Sequence, residues 1–242
     1  MKTGSKRELI SIQFETLPNY KQNLEKLIEL VKKTSNNSIV VAPEVCLTGF
    51  DYLNFDAAAL FAKDAINELF KILEDRVLIF TLIEKINSKF YNSAKVLHVN
   101  KIVHSQNKSK LFKLGDEDNY FSDDSSEKIV IFEIENIKMA ILICFELRFK
   151  DLWKRVEGAN IIAVPARWGK LREQNFISLT NALAIINQCY VIASDSTNDD
   201  ATSQSAVISP FGIECRSEEL NRIIYDEKEV LKMRRYMDVG IG

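Results

Sequence analysis

Short, wholly apolar runs alternate along this chain with segments whose apolar side chains recur every three or four positions. Ile39-Val40-Val41-Ala42, Val77 to Ile83, Asn160 to Pro165 and Tyr190 to Ser194 read as buried strands. Leu9 to Phe14 alternates as a strand does. Pro18-Asn19 opens a helix carrying Tyr20, Leu24, Leu27, Ile28 and Val31 on one face, and Ser35-Asn36-Asn37 ends it. Helical spacing also predicts helices over 57–74, 149–156, 171–188 and 227–237. Hairpins are expected where Phe90–Val99 and Lys101–His104 turn at Asn100-Lys101, where Lys128–Ile134 and Ile137–Ile143 turn at Glu135-Asn136, and where Ser205–Ser209 meets Ile213–Arg216 around Pro210-Phe211-Gly212. Between them lie an acidic loop around Gly115–Glu127 and a polar loop at Ser196–Ser203. With no internal repeat or low-complexity linker, residues 1–242 read as a single α/β domain with mixed rather than purely parallel sheet.

Charge narrows the partners. Lys and Arg number 32 against 34 Asp and Glu, so nothing electrostatic favours nucleic acid or an anionic membrane. No apolar run approaches the roughly 20 residues that span a bilayer, and Met1–Arg7 is followed by no signal-peptide core, so a cytoplasmic protein is expected. The four cysteines, Cys46, Cys144, Cys189 and Cys215, are scattered, which argues against a disulfide framework. The two histidines, His98 and His104, both fall in one predicted hairpin, which disfavours a His-rich zinc site and a Ser-His-Asp triad.

Three apolar strands end abruptly: Val41-Ala42-Pro43 at Glu44, Ile141-Leu142-Ile143 at Cys144, and Ala163-Val164 at Pro165. Sites in α/β folds gather at such strand ends. Cys144 stands just before a predicted helix, whose first N–H groups would favour a thiolate, but it also reads as an inert buried thiol. Glu44 is placed for desolvation and general-base work, or is an exposed strand terminus. Lys108 is one lysine among many and by itself reads as a surface charge. Together the three types form a complete hydrolytic set: a thiol to attack, a carboxylate to take its proton, and an ammonium to hold an oxyanion.

Order and context add more. Pro43-Glu44 followed by Thr48-Gly49-Phe50, then Lys108-Ser109-Lys110-Leu111-Phe112, then Cys144-Phe145-Glu146-Leu147-Arg148-Phe149 resemble the three motifs of the nitrilase superfamily of carbon–nitrogen hydrolases. Tyr91-Asn92-Ser93-Ala94, the helix end at Asn187-Gln188 and the Ser205–Gly212 hairpin are similar to further family segments. The sequence departs from the family pattern at Lys110 (usually His), Glu146 (more often Asp), Lys150-Asp151 (usually Pro-Glu), and Leu183 and Ile186 (Arg and Glu).

The resemblance implies a four-layer α-β-β-α sandwich of two mixed sheets, assembled as a homodimer or higher even oligomer. It implies a Glu44–Lys108–Cys144 triad and a second glutamate after the lysine motif, for which Glu117 is preferred to Asp116. The implied activity needs no metal and no cofactor. It is hydrolysis of non-peptide C–N bonds by water in a small linear amide or carbamoyl compound, foremost an ω-amide, through a Cys144 thioester. Phe145, through its N–H, and Arg167 and Trp168, as clamp and wall, are candidate substrate-binding residues; the latter two also read as surface residues. Arg148 reads chiefly as an ion-paired buttress, secondarily as a carboxylate binder. Alternatives are a catalytically impaired member acting as a binding or regulatory protein, a true nitrilase, a redox-sensing thiol and a His-dependent cysteine peptidase.

Overall fold

Alternation within the apolar runs sorts the strand side chains into two cores. The computed structural model describes residues 7–123 and 129–241, so Met1–Lys6 and the 124–128 part of the acidic loop, with the predicted strand start at Lys128, lie outside the described residues. One sheet is built from β1 (Glu8–Ile12), β2 (Ser38–Val41), β3 (Val77–Ile86), β4 (Lys89–His98), β5 (Lys101–Asn107) and β12 (Leu220–Ile224), in the order β12-β1-β2-β3-β4-β5. The other contains β6 (Phe132–Ile134), β7 (Ile137–Ile141), β8 (Ile161–Pro165), β9 (Tyr190–Ser194), β10 (Ala206–Ile208) and β11 (Glu214–Arg216), in the order β11-β10-β9-β8-β7-β6. Three strands at the centre of each run parallel, β1 to β3 and β7 to β9, and antiparallel strands flank them.

Leu9, Ile39, Val41, Val77 and Ile79 face the second sheet and share one core with Ile141, Ala163 and Ile192. Their neighbours Ile10, Val40, Leu78 and Phe80 face the other way, under α1 (Tyr20–Lys32) and α2 (Phe55–Leu73), against Leu27 and Leu69. The far side of the second sheet is covered by α5 (Glu173–Ile186) through Phe176, Leu183 and Ala184. The layers are therefore α-β-β-α. A four-residue α3 (Glu117–Tyr120), a short α4 (Lys150–Arg155) and a late α6 (Glu227–Tyr236) complete the described elements.

Differences from the sequence reading are local. α1 begins where Asn19 accepts a hydrogen bond from the Gln22 N–H, a side-chain cap. The 171–188 segment opens as a 3-10 turn at Lys170–Arg172 before α5 proper. The first hairpin turns at Val99-Asn100, both with positive φ (44° and 58°), as a two-residue turn between twisted strands requires. β12 pairs with β1 at the sheet edge and was not expected, because Leu-Asn-Arg-Ile-Ile shows neither a buried run nor a full alternation.

Candidate active site

Four chain segments leave strands on one side of the sandwich. Beyond β2, the Glu44 N–H donates to the Ala166 carbonyl at 3.0 Å, a bond that bridges the two sheets. Val45 then adopts φ 49°, left-handed backbone that a β-branched residue seldom takes and that costs about 1–3 kcal/mol. It is held there by its N–H on Thr81 Oγ1 (2.8 Å) and by its carbonyl, which accepts from Gly49 N (2.8 Å). The side chain of Glu44 is buried. Its Oε1 accepts from Asn92 Nδ2 (2.8 Å) and Lys108 Nζ (2.7 Å), and its Oε2 from the Arg167 N–H (3.1 Å).

Lys108 follows β5, and its N–H donates to the Asn92 carbonyl at 2.8 Å. Its ammonium, 1 % exposed, lies between two carboxylates, Glu44 Oε1 and Glu117 Oε1, both at 2.7 Å. Burial alone would push the lysine pKa down; the two carboxylates outweigh it and hold the group above its ordinary value, firmly cationic. Glu117 opens α3, and its second oxygen accepts from the Phe112 N–H at 3.0 Å. Burial raises its pKa and Lys108 opposes the rise. Asp116, the neighbouring alternative, is exposed and accepts from Asn119 Nδ2 at 3.4 Å.

Cys144 ends the run beyond β7, at φ 45°, and begins a 3-10 turn of five residues (Cys144–Arg148). Its Sγ lies 3.8 Å from the Arg167 carbonyl. Burial and then the Glu44 charge push the thiol well above its usual pKa, with Lys108 only partly compensating. Both effects favour the protonated thiol over the thiolate. Glu146 ties the two loops together: its Oε2 accepts from Ile143 N (2.7 Å), its Oε1 from Ser109 N (2.6 Å) and Ser109 Oγ (2.7 Å).

The thiol opens on a narrow cleft of about 30 Å³ lined by Phe112, Phe145, Arg148, Trp168 and Arg172 among others. A neighbouring cavity of about 320 Å³ reaches Cys144 and Glu117 past Phe50, Tyr52 and Arg167. Phe145 thus borders the thiol. Trp168 is buried, not a surface residue: its N–H donates to Asp195 Oδ1 (2.7 Å) and its Nε1 to the Arg172 carbonyl (2.9 Å). Arg167 reaches the cavity, but its guanidinium is engaged by Asp200 at 3.0 Å. Arg148 forms no ion pair with any described residue; it donates to Asn175 (2.8 Å) and lies over the Trp168 ring (5.0 Å). No described group of three or more His, Cys, Asp or Glu side chains is arranged to hold a metal ion, and no described helix is long and apolar enough to cross a membrane.

Three residues escaped the sequence reading. Asn92 carries both a side-chain bond to Glu44 and a backbone bond to Lys108; its place in Tyr91-Asn92-Ser93-Ala94 was the available signal. Glu146 was noted only as a departure from Asp. Asp195, at the end of β9, holds Trp168 and Thr202 and gave no signal beyond its strand-end position. Burial raises its pKa to about 7 against the hydrogen bonds it accepts.

Comparison with known proteins agrees with this architecture. The 2-oxoglutaramate amidase of Bacillus subtilis (strain 168) is 29% identical over 204 residues, covering 79% of this chain and 78% of its own. The crystal structure of a CN-hydrolase superfamily protein from Xanthomonas campestris superposes with a TM-score of 0.85 at 17% identity, over 97% of this chain and 96% of that one. An amidase from Nesterenkonia sp. AN1, seen with the acetamide moiety of fluoroacetamide added covalently at its active-site cysteine, gives a TM-score of 0.82 at 16% identity, over 97% and 95% of the two chains. The carbon-nitrogen hydrolase family model matches residues 11–217. The chain belongs to the carbon–nitrogen hydrolase family of the nitrilase superfamily, and is a hydrolase of C–N bonds other than peptide bonds.

Proposed function

We propose that residues 1–242 act as one amidase domain that hydrolyses small linear amides or carbamoyl compounds, foremost ω-amides, through a thioester on Cys144. The observation that carries this reading is the Lys108 ammonium held at 2.7 Å from both Glu44 and Glu117, with Cys144 and Glu117 lining one cavity.

Burial and the Glu44 charge favour the protonated sulfur, so its proton leaves as the bond forms. Glu44 takes that proton while Sγ attacks the amide carbon. The oxyanion is held by Lys108 Nζ and the Phe145 N–H. Collapse breaks the C–N bond, and Glu44 returns the proton to the departing nitrogen, which leaves as ammonia or an amine. Glu44 next deprotonates a water that attacks the thioester. The C–S bond breaks, the carboxylic acid departs, and the proton passes back to sulfur. Glu117 keeps Lys108 directed at the oxyanion, so that the ammonium is not drawn wholly onto Glu44.

The amidase relative from B. subtilis supports an ω-amide over a nitrile. The working form is a cytoplasmic homodimer or higher even oligomer. Ammonia release from a panel of ω-amides, amides and nitriles tests the function. Turnover of amides that disappears in Cys144→Ala is expected; equal rates from both proteins would end the reading.

A further inference from the structure

The charges around the thiol are unevenly spread. At the inner end two carboxyl groups, Glu44 and Glu117, face one ammonium at 2.7 Å each. The outer end is cationic. A cavity of about 980 Å³ lies beyond the thiol cleft, and its wall carries Lys89, Lys110, Lys113, Arg148 and Arg172 against two carboxylates, Asp118 and Asp123. Arg172 and Phe112 border this outer cavity and both cavities that reach Cys144.

Arg172 differs from the other two arginines that border the cavities reaching Cys144. Arg167 is paired with Asp200, and Arg148 donates to Asn175; of the lysines on the outer wall, Lys113 stands 3.9 Å from Asp118 and Lys110 lies over the Phe149 ring. The half-buried Arg172 guanidinium rests over the Phe112 ring at 5.1 Å and meets no carboxylate among the described residues. It also packs against the bare backbone of Gly169, where an added Cβ would stand 2.6 Å from Nη2. Gly169 has an ordinary negative φ (−66°), so the backbone itself does not call for glycine there. The missing side chain is what lets this guanidinium lie along the cavity wall.

We propose that Arg172 is the specificity-determining residue, binding a carboxylate at the far end of the acyl chain. Preferred substrates are then monoamides of dicarboxylic acids, drawn in amide first. A fork of N–H donors without a protein acceptor suits a carboxylate, whereas the inner end, where one ammonium already serves two carboxyl groups, has no free cation for one. The inference rests on the amidase reading above.

The test compares kcat/KM for glutaramate with that for pentanamide, its uncharged counterpart, by ammonia release. The wild type should favour glutaramate by at least about 10-fold, and Arg172→Gln should reduce that ratio about 10- to 100-fold. Gly169→Ala should lower the ratio in the same direction by displacing the guanidinium, which keeps the test alive if Arg172→Gln folds poorly. Arg172→Glu should shift preference toward 5-aminopentanamide. A ratio unchanged in Arg172→Gln and Gly169→Ala, with amide turnover intact, overturns the role of Arg172 and leaves the amidase reading standing. Absence of turnover of every amide by the wild type overturns both.

Discussion

Replacing Lys108 by Met tests how the buried cluster is held together. Met retains most of the aliphatic stem, so little cavity is created and the change is chiefly loss of charge. Glu44 and Glu117, each 2.7 Å from the ammonium in the wild type, are left buried without their shared cation. Removing one partner of a buried ion pair costs about 3–5 kcal/mol. The loss has a ceiling, because one carboxyl can take up a proton instead. From an unfolded value of about 4.3, that costs about 4 kcal/mol at about pH 7.5 and about 1 kcal/mol at about pH 5. The sign follows from linkage. In the variant a carboxyl has a folded pKa raised above its unfolded value, so its contribution is present below about pH 4 and lost as pH rises through the folded value. The stability gap between wild type and variant should therefore widen with pH. Urea unfolding of both proteins at the two pH values measures it, with Lys108→Met/Glu117→Gln recovering part of the loss at the higher pH. A gap under about 1 kcal/mol at both, or one larger at the lower pH, would refute the idea of a desolvated cluster that depends on its ammonium.

Other consequences are as direct. Alkylation of Cys144 by iodoacetamide should still accelerate up to about pH 9, since burial and Glu44 raise the thiol; a plateau below neutral pH would reveal a preformed thiolate. Cys46 and Cys189, buried and pushed up to about 12, should stay unlabelled in the native protein. Glu146→Gln must turn an NH2 toward one of the donors its carboxylate now accepts, Ile143 N, Ser109 N or Ser109 Oγ; a loss of about 1–3 kcal/mol in urea unfolding and slower ammonia release are expected. Asp195 has a folded pKa raised to about 7, so its contribution to stability is full below about pH 4 and falls as pH rises toward 7. Asp195→Asn should remove that slope from the pH dependence of the urea midpoint, and an unchanged slope would assign it to another group.

Much of the fold was legible because buried parallel strands leave a strong imprint. Ile39-Val40-Val41 and Val77 to Ile83 are apolar on both faces because one face meets the helices and the other meets the second sheet. β12 was hidden because an edge strand needs little apolar sequence; Asn221 within it is buried by hydrogen bonding to Ser11 (3.1 Å) and Glu218. α3 was hidden by its length, since four residues have no helical period. At the site, the residue types of the three motifs carried the information, and the structure brings Glu44, Lys108, Glu117 and Cys144 together from four segments. What the motifs could not convey was partnership. That Arg167 is engaged depends on Asp200 folding back onto it, a contact 33 residues away in sequence. The state of the Cys144 sulfur likewise depends on how deeply the strand end is buried, which helix-start reasoning does not see.

Mass analysis of enzyme acid-quenched during turnover of glutaramate bears most directly on the proposed chemistry. The expected result is an increment equal to the acyl group, mapped to the peptide bearing Cys144 and absent from Cys144→Ala. Steady ammonia release with no acyl group on Cys144, or with the Cys144→Ala protein as active as the wild type, would contradict it.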